Sequence, residues 1–226
     1  MERYILILCL FLILVSCNKR TVQLPETDSQ IITQILDVSP AYFFYDEETN
    51  EVEFNRKNII GTTNWLVNID KRLTLEQVLP GLKYLQKKRR KDGLHTKTSA
   101  KNFFSCSNPD LQNLAFIEFT EVNYREDRID DRSVMEAKKN NLVNVLINFR
   151  SKDEIEIKKN LQVKRSNEVN FIKDLNSATA NDSLIDHIFL NFDGKLSFQD
   201  YISFKSLMLK INMEKAEISN DEFVYN

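Results

Sequence analysis

Asn64-Trp65-Leu66-Val67-Asn68-Ile69-Asp70-Lys71-Arg72-Leu73-Thr74-Leu75 and His187-Ile188-Phe189-Leu190-Asn191-Phe192-Asp193-Gly194-Lys195-Leu196-Ser197-Phe198 are two versions of one pattern. They align without a gap, pairing Asn68 with Asn191, Asp70 with Asp193, Leu73 with Leu196 and Thr74 with Ser197. Trp65–Ile69 and Ile188–Phe192 are short runs of aromatic and β-branched residues, which favour strands. Asp70-Lys71-Arg72 and Asp193-Gly194-Lys195 read as turns, with each Asp side chain holding its own backbone. Thr74 and Ser197 then sit where a hydroxyl caps the first amides of a helix. Gln77, three residues after Thr74, completes a capping box, and Asp200 sets a carboxylate at the positive end of the second helix. Leu75, Val78, Leu79, Leu82 and Leu85 form one helical stripe, and Phe198, Tyr201, Ile202, Met208 and Ile211 form its counterpart. A repeat of strand, turn and capped helix organises the chain.

Outward from the second copy, Leu142–Phe149 alternates, Arg150–Asp153 turns, and Ile155 and Ile157 alternate again, which predicts a hairpin. Ser166–Leu175, with Val169, Ile172 and Leu175, predicts a helix, and residues 217–225 a last strand. The second half therefore reads β-β-α-β-α-β. The first half offers a hairpin from Ala41–Tyr45 and Val52–Phe54, the Trp65 strand, the Thr74 helix and a closing strand at Leu114–Tyr124. It lacks one helix and carries a partly aromatic loop at 92–113. The fold expected is α+β, in two related halves, each a small mixed sheet with one or two helices packed on it.

The order of elements in residues 142–226, with Leu190-Asn191-Phe192-Asp193-Gly194-Lys195-Leu196-Ser197 as its signature, resembles the periplasmic domain of the ExbD/TolR family. Residues 41–124 resemble a second, degenerate copy. The resemblance implies a soluble module that binds envelope proteins or the cell wall. It stops short of proton coupling, because that family uses an Asp in a membrane helix and the apolar stretch here, Tyr4–Val15, holds no acid.

That stretch follows Arg3 and is shorter than the roughly 20 residues a spanning helix needs. It has the charged start and apolar middle of a secretory signal. Leu14-Val15-Ser16-Cys17 resembles the lipobox of bacterial lipoproteins, which implies cleavage before Cys17 and acylation of its thiol and amine. Two or three acyl chains hold a protein on a bilayer where one does not. The expected organisation is a signal peptide at 1–16, lipidated Cys17 and a tether at 17–37, a first repeat at 38–125, a charged linker at 126–139 and a second repeat at 140–226. Localisation would be a cell membrane or outer membrane, extracytoplasmic and lipid-anchored, with either membrane open.

Net charge is −2 with both signs mixed along the chain, so nothing points to nucleic acid. Cys106 is the one thiol left after processing, which excludes an intramolecular disulfide, and it reads as a small buried apolar residue. Asn191-x-Asp193-Gly194 lacks the leading Asp of a calcium loop, since Phe189 stands there. No metal cluster, cofactor loop or Gly-x-Ser-x-Gly elbow is visible. The chain is read as a non-enzymatic binder of an envelope component. The alternative is a lipid-anchored hydrolase, because glycosidase carboxylates leave no linear trace. Lys87-Lys88-Arg89-Arg90-Lys91 ends the first long helix. Five cations there complement the negative end of the helix dipole, and they also suit contact with anionic lipid headgroups.

Overall fold

A computed structural model describes residues 21–28, 32–91, 99–130, 142–159, 162–179, 185–211 and 216–226. In chain order the strands are β1 (Val38–Asp46), β2 (Glu51–Asn55), β3 (Asn64–Ile69), β4 (Asn102–Asn108), β5 (Asn113–Glu118), β6 (Asn123–Arg125), β7 (Leu142–Ser151), β8 (Glu154–Lys159), β9 (Gln162–Ser166), β10 (Ile185–Asp193) and β11 (Ala216–Tyr225). The helices are α1 (Leu75–Lys91), α2 (Phe171–Thr179) and α3 (Phe198–Met208). The chain is α+β with two related halves. One sheet has the order β2-β1-β3-β4-β5 and the other β6-β11-β10-β7-β8-β9.

The repeated strands occupy equivalent places. Val67 of β3 lies between Ala41 of β1 and Phe104 of β4, both in parallel pairing. Its counterpart, Leu190 of β10, lies between Ile147 of β7 and Glu222 of β11, again in parallel. β1 and β7 each lead an antiparallel hairpin. Helices α1 and α3 each make the crossover to the next parallel strand. The two strands differ in cover: β10 is buried at every residue from Asp186 to Phe192, as a strand covered on both faces is, whereas β3 alternates, with Trp65, Val67 and Ile69 buried and Leu66 and Asn68 half-buried.

The turns behave as their residues dictate. Asp70 Oδ1 accepts from the Arg72 amide at 3.1 Å, and Asp193 Oδ1 from the Lys195 amide at 2.9 Å. Thr74 Oγ1 accepts from the Gln77 amide at 3.3 Å while Gln77 Oε1 accepts from the Thr74 amide at 2.8 Å, closing the capping box. Ser197 Oγ accepts from the Asp200 amide at 3.1 Å.

The two caps also meet. Thr74 and Ser197 form an antiparallel bridge. The Leu75 amide donates to the Leu196 carbonyl at 2.8 Å and the Phe198 amide to the Leu73 carbonyl at 2.7 Å. The Glu76 amide donates to Gly194 O at 2.8 Å and the Gln199 amide to Lys71 O at 3.2 Å. Leu75 matches Phe198 and Leu196 matches Leu73, so the bonds are reciprocal, as across a two-fold axis. Amides at the start of a helix lack partners within it, and each helix here takes them from the other half's turn.

One core serves both halves. Phe43, Trp65, Leu82 and Phe104 from the first bury with Phe149, Phe192, Tyr201 and Phe204 from the second. Phe104 meets Phe198 edge to face at 5.3 Å, and Phe149 stacks on Phe204 at 4.4 Å. Gly81 sits where a Cβ would overlap the Phe43 ring, so α1 needs glycine to lie this close to β1.

Five expectations change. The loop expected at 92–113 contains β4, a buried strand pairing with β3 and β5 and taking the place of β11 in the second half. The closing strand expected at Leu114–Tyr124 divides into β5 and β6, and β6 joins the second sheet beside β11. The helix expected from Ser166 starts at Phe171, because Ser166 belongs to β9 and its hydroxyl donates to Asp174 at 2.7 Å. Val169 is 92% exposed, and Phe171 supplies the buried anchor instead. Residues 21–28, within the stretch read as a tether, are docked on the body. The Gln23 amide donates to Asp70 Oδ2 at 3.1 Å and the Lys71 amide to Gln23 O at 2.8 Å. The Ser107 amide donates to Pro25 O at 2.8 Å, and the Thr27 amide to Ser107 O at 2.9 Å. In the second half Gly194, the match of Lys71, donates its amide to Tyr225 O at 2.7 Å, so the N-terminal segment caps one half as the C-terminal strand caps the other. Of the stretch read as a charged linker, Ile129 is buried and held at both N–H and C=O by the Asn191 side chain, while 131–139 lie outside the described residues.

Candidate functional site

Helix α1 carries its basic end along the junction between the halves. Among the residues read as a headgroup contact, the structure separates roles. Arg89 turns inward: its guanidinium stacks over Trp65 at 3.7 Å and donates to Asn102 Oδ1, Gly61 O and Thr63 O at 2.9–3.0 Å. It holds the loop before β3 against the helix. Arg90 donates to Val122 O and Asn123 Oδ1, both neutral acceptors, and is exposed. Lys87 is exposed and Lys88 half-buried. The Lys91 side chain lies outside the described residues, as do Leu14, Val15, Ser16 and Cys17.

Lys83, Lys87 and Arg90 recur at helical spacing and so share one face of α1. That face and β6 enclose a cleft of about 570 Å3, lined by Lys83, Lys87, Arg90 and Arg125 with Pro80, Tyr84, Gln86, Asn123 and Tyr124. No acid lines it. Two of the cations have carboxylate partners outside the lining. Lys83 pairs with the exposed Glu126 at 2.8 Å, and the exposed Arg125 with the half-buried Asp221 at 3.3 Å. Pairs this open to water are weak. Arg56 adds a further cation over the outer Tyr84 ring, at 4.0 Å. The run Lys87–Lys91 pointed to this end of α1 but missed Lys83 and Arg125. Lys83 was findable four residues before Lys87 on the same face. Arg125 was not, because β6 reaches the site only by joining the second sheet.

Tyr124, buried in the cleft wall, opens a polar chain through the core. Its hydroxyl lies 3.1 Å from that of Tyr201, which donates to Glu222 Oε2 at 2.7 Å. Lys205 donates to the other Glu222 oxygen. Burial first, and then the Glu222 charge, hold both phenols well above the ordinary tyrosine range. Both stay neutral and serve as hydrogen-bonding groups. Glu222 stands where Phe104 stands in the first half, so one copy packs an aromatic ring where the other keeps a charge.

A smaller cleft of about 320 Å3 beside α3 holds Glu26, Asp28, Asp110 and Glu168 with Lys210. Three of its carboxylates are in ion pairs: Glu26 with Lys71, Asp28 with Lys210 and Glu168 with Lys152. Cys106 is buried in β4, and desolvation pushes its thiol up to about 12, which suits the packing role and removes the thiolate a nucleophile needs. Among the described residues no three His, Cys, Asp or Glu side chains gather to hold a metal, and no helix is long and apolar enough to cross a membrane.

Searched against protein-family models, curated proteins and solved structures, the chain matches none.

Proposed function

We propose that the protein is an extracytoplasmic lipoprotein, held on a cell membrane or outer membrane through acylated Cys17, that binds another component of the envelope without chemistry of its own. The observation that carries the reading is the apolar run Tyr4–Val15 ending in Leu14-Val15-Ser16-Cys17. The docking of residues 21–28 bears on its geometry. An anchor at Cys17 would leave four residues before the body, a reach of about 14 Å, so the folded part would sit close to the bilayer. The ExbD/TolR-like order of elements supports a binding role, as an accessory module without proton coupling.

The test is chemical. In a host that processes lipoproteins, the parent should incorporate a palmitate-type probe and partition into detergent, and Cys17→Ser should do neither. Equal labelling and partitioning of the two would overturn the proposal.

A further inference from the structure

We infer that the cleft between α1 and β6 is a binding site for a phosphoryl-bearing anion, recognised by Lys83, Lys87, Arg90 and Arg125. The inference stands on the cleft alone and holds whether or not Cys17 is acylated.

Four cations converge from two elements on one concavity of about 570 Å3, a volume within the range of small-ligand sites. Their charge is not spent internally. Among the described residues Arg90 is bound only to neutral oxygens and Lys87 has no carboxylate partner. The pairs of Lys83 and Arg125 each have an exposed member, so they are open to exchange with a stronger anion. A concave site whose lining is cationic concentrates anions more than the same charges on a convex surface. The negative end of the α1 dipole opposes this by about half a charge, against four full cations.

The donor set favours phosphoryl over a lone carboxylate. Two guanidinium groups offer planar forks, and two ammonium groups offer point charges, the combination that meets several oxygens of one tetrahedral anion. Tyr84 and Pro80 give the wall an apolar side for a glycerol or sugar carbon skeleton. The same chemistry occurs on a free phosphate ester and on a phospholipid headgroup, and the experiment separates the two.

The full-length protein in a non-ionic detergent would be titrated, by NMR of its backbone amides, with inorganic phosphate and with glycerol phosphate. A second arm adds short-chain phosphatidylglycerol or phosphatidylcholine to the micelles. Shifts should centre on residues 83–90 and 123–125. Response to the free anions assigns a soluble ligand, and response to phosphatidylglycerol alone assigns a headgroup. In either case Lys87→Glu should weaken binding about tenfold or more, and Lys88→Glu, equal in charge but outside the lining, by no more than about twofold. Arg125→Gln, on the opposite wall, should repeat the loss. Equal loss from Lys87→Glu and Lys88→Glu would reduce the effect to net charge and overturn the site. So would saturation by a glutamate-rich peptide with no response to any phosphoryl probe.

Discussion

Thr74 and Ser197, equivalent residues of the two repeats, lie opposite each other in an antiparallel bridge, each the N-cap of its own helix. The seam between the halves therefore runs through backbone, with four N–H to C=O hydrogen bonds related in pairs. Side-chain packing surrounds it but does not define it.

The caps give the first prediction. Removing a hydroxyl cap costs about 1 kcal/mol. Thr74→Ala and Ser197→Ala should each lower unfolding free energy by about that amount in denaturant titration, since the bridging amides are untouched. Because the two residues meet, the double variant should depart from additivity. Strict additivity would show that the caps act independently of the seam.

Asp70 gives the second. It is fully buried. Desolvation raises its pKa, but hydrogen bonds from the Arg72 side chain and from the Gln23 and Arg72 amides, with the Arg72 charge, outweigh it and hold the carboxyl below the ordinary range. A carboxyl lowered on folding stabilises above its unfolded pKa, and that contribution is lost as pH falls through the folded value. Asp70→Asn should cost about 2 kcal/mol at neutral pH. Its Tm should fall less than the parent's between about pH 6 and about pH 2. Parallel Tm curves would refute the assignment.

The Glu222 network gives the third. Lys205→Met removes the cation and leaves a buried carboxylate with the Tyr201 hydroxyl. Breaking one side of a buried pair costs about 3–5 kcal/mol. Lys205→Met with Glu222→Gln should recover part of the loss, measured by calorimetry. Equal stability of Lys205→Met and parent would show that the pair contributes nothing.

Gly81 gives the fourth. Alanine is the better helix former by about 1 kcal/mol, yet its methyl would press on the Phe43 ring, which is itself stacked on Phe54 at 4.3 Å. Overpacking should win, and Gly81→Ala should destabilise by about 1–3 kcal/mol. Gly81→Ala with Phe43→Leu should restore stability.

Sequence patterning reached the parts of this fold where local chemistry and tertiary role agree. Asp70, Thr74, Asp193 and Ser197 do in the structure what such residues do in isolation, and both β-turn-α units were legible for that reason. β4 was not. Asn102-Phe103-Phe104-Ser105-Cys106-Ser107-Asn108 mixes buried aromatics with small buried polar residues on both faces, so it has no period to read. β6 was hidden differently: three residues can be placed only by knowing that their partner, β11, lies about a hundred residues on. The cationic cleft shares that fate. Its helical wall was written in α1, and its other wall came from β6, which leaves the first half to edge the second sheet.

The docked N-terminal segment sets how the protein would bear load. If the chain is held at Cys17 and its body is pulled away, tension enters at Gln23 and meets the contacts of Asp70, Lys71, Ser107 and Gln199 one after another. Bonds loaded in series peel at low force, whereas bonds sharing a load resist together. Peeling would release residues 21–28 and lengthen the leash by about 27 Å while both sheets stayed intact. The same segment that keeps the body close to its anchor is thus a built-in reserve of slack.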